Sequence, residues 1–158
     1  MRKNPLTVSL VVCVGLILSA AVAMAADNWI GIWKLDVAKS KFSPGPAPKG
    51  QTIKFVVTKD GTQLISDGIL SDGKTLHSTY VSHFDGKDVA WTGNPDADMA
   101  APKKIDDNSY ENTWKKDGKT VMMTKVVVSS DGKTLAVVQT GTNAKGQAVN
   151  NSTVYTRQ

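Results

Sequence analysis

Asp-Gly occurs six times along the chain, and five of the six punctuate it as turns, at Asp60-Gly61, Asp72-Gly73, Asp85-Gly86, Asp117-Gly118 and Asp131-Gly132, with Lys145-Gly146 as a related turn; the sixth, Asp67-Gly68, falls inside a strand-like run. The aspartates of these five turns stand 12, 13, 32 and 14 residues apart, and the long interval holds two further turn clusters, Asn94-Pro95-Asp96 and Asp106-Asp107-Asn108. Asp-Gly suits tight hairpins, because both central residues of the favoured turn need positive φ, which Gly adopts freely and Asp better than most. Such frequent breaks leave no room for a sustained helical period, so the pattern predicts an antiparallel meander. Lys follows the Gly in four of the five cases (Lys74, Lys87, Lys119, Lys133), which puts these lysines at hairpin exits, in solvent.

Between the turns lie ten strand-like runs: Trp29–Leu35, Thr52–Thr58, Gln63–Leu70, Thr75–Phe84, Asp88–Thr92, Met99–Ile105, Ser109–Lys115, Thr120–Val128, Thr134–Thr140 and Val149–Arg157. Several alternate with the period of a half-buried strand. Ile53, Phe55 and Val57 share one face against Lys54 and Thr58, and Leu76, Tyr80 and Phe84 oppose His77, Thr79 and His83. Val121–Val128 is apolar on both faces and is expected to be covered on both sides. Ten hairpin-linked strands must hide their edges, and closure into a barrel does so most completely. The exception to short turns is Asp36–Gly50, whose Pro44-Gly45-Pro46-Ala47-Pro48 core cannot be a regular helix or a central strand. It is expected to form either a strap over one barrel mouth, with a short helical turn at Val37–Lys41, or a plain linker.

Residues 1–25 read as a secretory signal peptide. Arg2 and Lys3 make a positive start, Leu6 to Ala23 carries no charge, and Ala23-Met24-Ala25 puts small residues at both recognition positions. An uncleaved anchor is the competing reading, since about 18 apolar residues can span a bilayer. The polar sequence after Ala26 favours cleavage, with no stable membrane insertion afterwards. Cys13, the single cysteine, follows Val12 in mid-run, unlike a lipid-attachment cysteine, which ends such a run behind a small residue. The formal charge of +5 falls to +3 once Arg2 and Lys3 leave, and Cys13 leaves with them. The remaining body, 26–158, is then one exported domain, periplasmic or secreted, without thiol chemistry.

Gly31-Ile32-Trp33-Lys34-Leu35, a Gly-x-Trp on the first strand, resembles the lipocalin and fatty-acid-binding protein superfamily. That resemblance implies a Trp closing the barrel floor with a late-strand Arg against it. Val154-Tyr155-Thr156-Arg157 is similar to the end of the fatty-acid-binding branch, whose ten strands match the count here. The branch's carboxylate-binding Arg, two residues before the terminal-strand Tyr, is Thr153 in this chain, and the first loop is too Pro-rich for the branch's helix pair. Trp33-Lys34-Leu35, Ala38-Lys39-Ser40-Lys41-Phe42, Gly93-Asn94-Pro95-Asp96-Ala97-Asp98 and the tail from Asp131 to Tyr155 resemble a group of small exported bacterial proteins, lipocalin-like and functionally uncharacterised. This similarity implies a fold and a compartment, not an activity.

The chemistry-bearing residues are few. His77 and His83 are six residues apart on one strand face, about 20 Å at ~3.3 Å per residue, too far to share an ion. Either could ligate a haem alone, but a solvent-exposed or hydrogen-bonded His is the simpler reading. Asn94-x-Asp96-x-Asp98 imitates the start of a calcium loop, yet Met99 and Ile105 stand where Gly and Glu belong, which favours a turn cap. No nucleophile elbow, zinc-protease motif or phosphate-cradling loop occurs. Glu111 is the only Glu, so an acid–base pair would have to use Asp. The chain is expected not to be an enzyme, to need no cofactor or metal, and to bind no nucleic acid, since its lysines are spread over hairpin ends rather than clustered with aromatics.

The aromatic residues carry the functional hint. Period-two counting groups Trp33 with Leu35, Thr153 with Tyr155 and Arg157, Tyr110 with Trp114, and Val89 with Trp91. Trp33, Tyr80, Trp91, Tyr110, Trp114, Tyr155 and Arg157 are therefore the candidate residues for holding a small hydrophobic ligand inside the barrel. Alternatively they fill a solid core, with Arg157 plugged against Trp33, and the protein works through its rim and strap as an interaction or inhibitor module.

Overall fold

A computed structural model describes residues 27–158. The leader at 1–25 lies outside the described residues. The body forms ten antiparallel strands: β1 (Gly31–Leu35), β2 (Gly50–Thr58), β3 (Gly61–Ile69), β4 (Thr75–Ser82), β5 (Val89–Ala90), β6 (Met99–Asp106), β7 (Ser109–Lys116), β8 (Lys119–Val128), β9 (Thr134–Thr142) and β10 (Ala148–Arg157). They make one sheet in the order β4-β3-β2-β1-β10-β9-β8-β7-β6-β5, so the first and last strands of the meander are neighbours. Trp33 sits opposite Arg157 and Leu35 opposite Tyr155 across that join.

The sheet nearly closes. At the remaining seam Thr79 and Thr92 exchange two backbone hydrogen bonds of 3.0 Å, and Lys104 N–H donates to the Phe84 carbonyl at 2.9 Å. β5 is only two residues long, where the sequence pattern predicts five, because the chain leaves it to cross this seam. Gly93 makes the crossing possible: its φ is +80°, and a Cβ there would lie 2.1 Å from the His77 carbonyl oxygen. Gly118 has a similar φ of +74° in the β7–β8 turn but open space around it. Gly93→Ala is therefore expected to cost roughly 1–3 kcal/mol more than Gly118→Ala, the excess being overlap rather than backbone strain. Equal losses in urea unfolding would show that the seam is not tight.

The turns refine the Asp-Gly reading. Only Asp117-Gly118 has positive φ at both residues and is a two-residue turn, between paired Lys116 and Lys119. In the Asp-Gly-Lys turns at Asp72, Asp85 and Asp131 the carboxylate instead accepts the backbone N–H of the lysine two residues on, at 3.0, 3.1 and 3.0 Å. Lys74 and Lys87 also pair with their own turn aspartates at 3.0 and 2.8 Å. These two lysines thus help to hold their own hairpins.

Two expectations are corrected. β1 begins at Gly31 rather than Trp29, since Trp29 lies in the preceding turn and packs across the barrel end. β8 is not covered on both sides: Met122, Thr124, Val126 and Val128 are buried while Met123 is 52% exposed and Val127 39%. Its outer apolar residues fit a pleated strand surface without being buried.

The long first connection is a strap. Asp36 caps a single 3₁₀ turn, Val37–Lys39, by accepting the Lys39 N–H. Ser40 Oγ then donates to the Asp36 carbonyl at 2.7 Å and accepts Val154 N–H at 3.0 Å. Lys41 pairs with Ser152, beyond the end of β1. Past that point Phe42 to Pro48 swings over the open end of the barrel and borders the interior.

Candidate functional site

The two ends of the barrel differ. One is a closed floor: Trp29 stacks near Phe84 and Tyr110 with ring centroids 5.4 and 5.2 Å away, and Phe84 meets Tyr110 edge-on at 4.9 Å. Trp33 Nε1 donates to the Trp29 carbonyl at 2.8 Å. The Arg157 guanidinium lies 4.2 Å from the Trp33 ring centroid. Its N–H groups donate to the carbonyls of Ile30, Gly132 and Asn28, so the charge is held by backbone oxygens rather than a carboxylate. Lys104 bridges Asp27 and Asp107 outside the floor at 2.6 and 2.7 Å. A shallow surface cleft beside Arg157, bordered by Asp27 and Asp131, lies outside the barrel.

Above the floor is a cavity of about 740 Å³ that opens beneath the strap. Of the seven residues singled out from sequence, Tyr80, Trp91, Tyr110, Trp114 and Tyr155 line it. Trp33 and Arg157 do not; they belong to the floor below. Tyr80, Trp91 and Trp114 form one aromatic cluster, with centroids 5.2 Å apart for the first pair and 4.6 Å for the second, both edge-on. Trp91 reaches it from just past the short β5 at the seam, and Trp114 from near the end of β7, next to a register shift in its pairing with β8.

The polar lining is only partly visible in the sequence. Asn112 lies between Tyr110 and Trp114 on the same face and follows from period-two counting. Gln51, Ser66 and Tyr155 come from three strands and form a chain: Tyr155 Oη donates to Gln51 Oε1 and Gln51 Nε2 to Ser66 Oγ, each at 2.7 Å. Three polar atoms of cavity-lining residues, Trp91 Nε1, Trp114 Nε1 and Thr124 Oγ1, are buried without any partner among the protein's own groups. An unpaired buried donor costs about 1–3 kcal/mol, and Trp29 Nε1 and Asp98 Oδ1 are unpartnered as well, outside the cavity lining.

Burial also sets the acidity of the phenols. It pushes the Tyr155 hydroxyl up to about 12, that of Tyr80 higher still, and that of Tyr110 well above its ordinary value, the last reinforced by the neighbouring tyrosines. All three are neutral at physiological pH and serve as hydrogen-bonding groups, not as bases.

His77 lies on the outer face of β4, with its Nδ1 2.6 Å from Asp67, away from the cavity. Asp96 accepts Ala144 N–H at 2.8 Å and Asp98 accepts Asp117 N–H at 3.0 Å, so the Asn94–Asp98 segment ties loops together. Among the described residues no three His, Cys, Asp or Glu side chains converge as a metal site.

No protein-family model and no curated protein matches the sequence. Among solved structures, the zebrafish ileal bile acid-binding protein complexed with cholic acid aligns at 9% identity and a TM-score of 0.47, over 83% of this chain and 99% of that one. A protein of unknown function from the DUF3598 family of Nostoc punctiforme aligns at 14% identity and a TM-score of 0.52, over 83% of this chain; this chain spans 48% of that protein's length. Likeness at such identities speaks for fold alone. With its strand order and end-to-end join, the chain is a ten-stranded antiparallel barrel that fits the lipocalin and fatty-acid-binding fold.

Proposed function

We propose that the protein is an exported binding protein that holds a small hydrophobic molecule inside its barrel without acting on it chemically. The observation that carries this reading is the cavity of about 740 Å³, within the range of roughly 300–1,000 Å³ that small-molecule sites occupy. Its walls are largely aromatic and aliphatic, and its floor is sealed by Trp29 and Trp33, both fully buried. A solid-core interaction module has no use for such a space. Neutral phenols and an interior without charged groups favour binding over acid–base catalysis. Export rests on the leader at residues 1–25 and places the ligand in the periplasm or outside the cell.

Native mass spectrometry of the protein purified from its own source tests the reading. The expected result is a mass excess that disappears on organic extraction. A bare polypeptide mass, together with no uptake of any apolar probe, would overturn it.

A further inference from the structure

Building on that reading, we propose that the hydrogen bond between Asp96 and the Ala144 backbone is a latch over the cavity. A small molecule passes in and out when this latch opens, while the strap stays in place. Two features of the mouth support this.

The first is the reach of two loops. Asn94 to Asp98 lies in the connection from β5 to β6, Asn143 to Gln147 joins β9 to β10, and both segments border the cavity. In the sheet β7 and β8 stand between β6 and β9, a separation of about 14 Å at ~4.8 Å per strand. Ala144 N–H nonetheless donates to Asp96 Oδ1 at 2.8 Å, so the two loops lean together and arch over the β7–β8 side of the mouth. Each is stiffened from within. Asn143 Oδ1 accepts the N–H groups of Lys145 and Gln147, both at 3.0 Å, and Asn94 Oδ1 accepts Asp96 N–H at 2.9 Å. Asp98 is pinned to the β7–β8 turn through the Asp117 N–H. The latch therefore joins two preformed bodies, not two loose chains.

The second is how unequally the parts of the mouth are held. The strap is tied to the barrel by five hydrogen bonds. Lys41 and Ser152 exchange two, of 2.7 and 3.0 Å, and the Ser43 carbonyl accepts Asn150 N–H at 2.7 Å. Ser43 N–H donates to Asn151 Oδ1 at 2.9 Å, and Lys49 N–H to the Ile69 carbonyl at 2.8 Å. Between the two arching loops the latch is the only hydrogen bond among the described residues. Segments held by the fewest bonds open first. Ala144 is exposed, so water takes over its N–H when the latch parts and no buried group is left unpaired. Lifting the strap would instead break a strand-like ladder and pull Phe42 off the core it packs against.

Stopped-flow fluorescence with Nile red, an uncharged apolar dye that brightens out of water, reads the gate on the full folded domain. Asp96→Ala is expected to raise the association and dissociation rate constants together, each by about threefold to tenfold, and to leave Kd within about twofold of wild type. Asp96→Asn, whose amide oxygen still accepts the Ala144 N–H, is expected to keep the wild-type rates. Hydrogen exchange at the Ala144 amide, followed by NMR, reports the latch without any ligand: slow in wild type and Asp96→Asn, fast in Asp96→Ala. Unchanged dye kinetics in Asp96→Ala despite a freed Ala144 amide would overturn the gate while leaving the cavity reading intact. A change in dissociation alone would also overturn it, since Asp96 would then be a ligand contact. An Ala144 amide that exchanges equally fast in all three proteins would mean that no latch forms. If Nile red enters none of them, the binding reading falls and the gate with it.

Discussion

A Trp33→Ala variant is expected to lose about 3–5 kcal/mol of stability, which lowers Tm by on the order of 10–20 °C for a domain of this size. Trp33 is fully buried at the join where the first strand meets the last, so its removal opens a void where β1 must hold both β2 and β10. It also orphans the Trp29 carbonyl that accepts its indole N–H and frees the Arg157 guanidinium from its ring. Arg157→Met separates these effects. It removes a cation–π contact worth about 0.5–2 kcal/mol and the bonds to three carbonyls, but leaves the Trp33 volume in place, so it is expected to cost less. A Trp33→Ala domain melting within a degree or two of wild type would show that the floor does not close the barrel. An Arg157→Met loss equal to that of Trp33→Ala would show that charge, not volume, seals it.

The floor and the cavity were unequally visible in the sequence. Strand number and antiparallel order follow from local chemistry: turn clusters set where the chain reverses and alternation sets which side faces in, although Asp-Gly alone does not suffice, since Asp67-Gly68 lies inside β3. Turn width does not follow: Asp72, Asp85 and Asp131 each accept the backbone N–H two residues on, which any residue but proline supplies, while the same Asp-Gly-Lys sequence at Asp117 closes a two-residue turn. Trp29 looks like a strand residue by composition, yet its place in the floor is set by Phe84 and Tyr110, both more than 50 positions away. Met123 and Val127 read as buried because strands favour such residues whether or not anything covers them. Period-two parity put Tyr80, Tyr110, Trp114 and Tyr155 on inward faces. Parity cannot say how far along the barrel axis a residue sits, and that distance separates Trp33 and Arg157 in the floor from the aromatics around the cavity. The seam at Gly93 is likewise a matter of which strands meet, not of any local pattern.

Alkaline unfolding should report the buried phenols directly. All three tyrosines of the chain, Tyr80, Tyr110 and Tyr155, are buried, and burial raises each well above the ordinary value near 10, Tyr155 to about 12 and Tyr80 further. The folded barrel therefore keeps protons that the unfolded chain releases. Their contribution to stability is intact below about pH 10, the unfolded value, and is lost progressively as pH rises from there through about 12 and beyond. Once the unfolded chain has released all three, stability falls by about 4 kcal/mol per pH unit. Lys87 and Lys104, raised by their aspartate partners, act in the same direction, but they are exposed and screened, and tyrosinate absorbance near 295 nm does not register them. The expected trace is a flat absorbance well past pH 10, then one step in which all three tyrosines ionise together with loss of the strand circular dichroism. Tyr155→Phe should reduce the step by one tyrosine and make the pH dependence about a third less steep. Gradual ionisation centred near pH 10 in a barrel that stays folded would mean that water already reaches the phenols and that they are not buried as the fold places them.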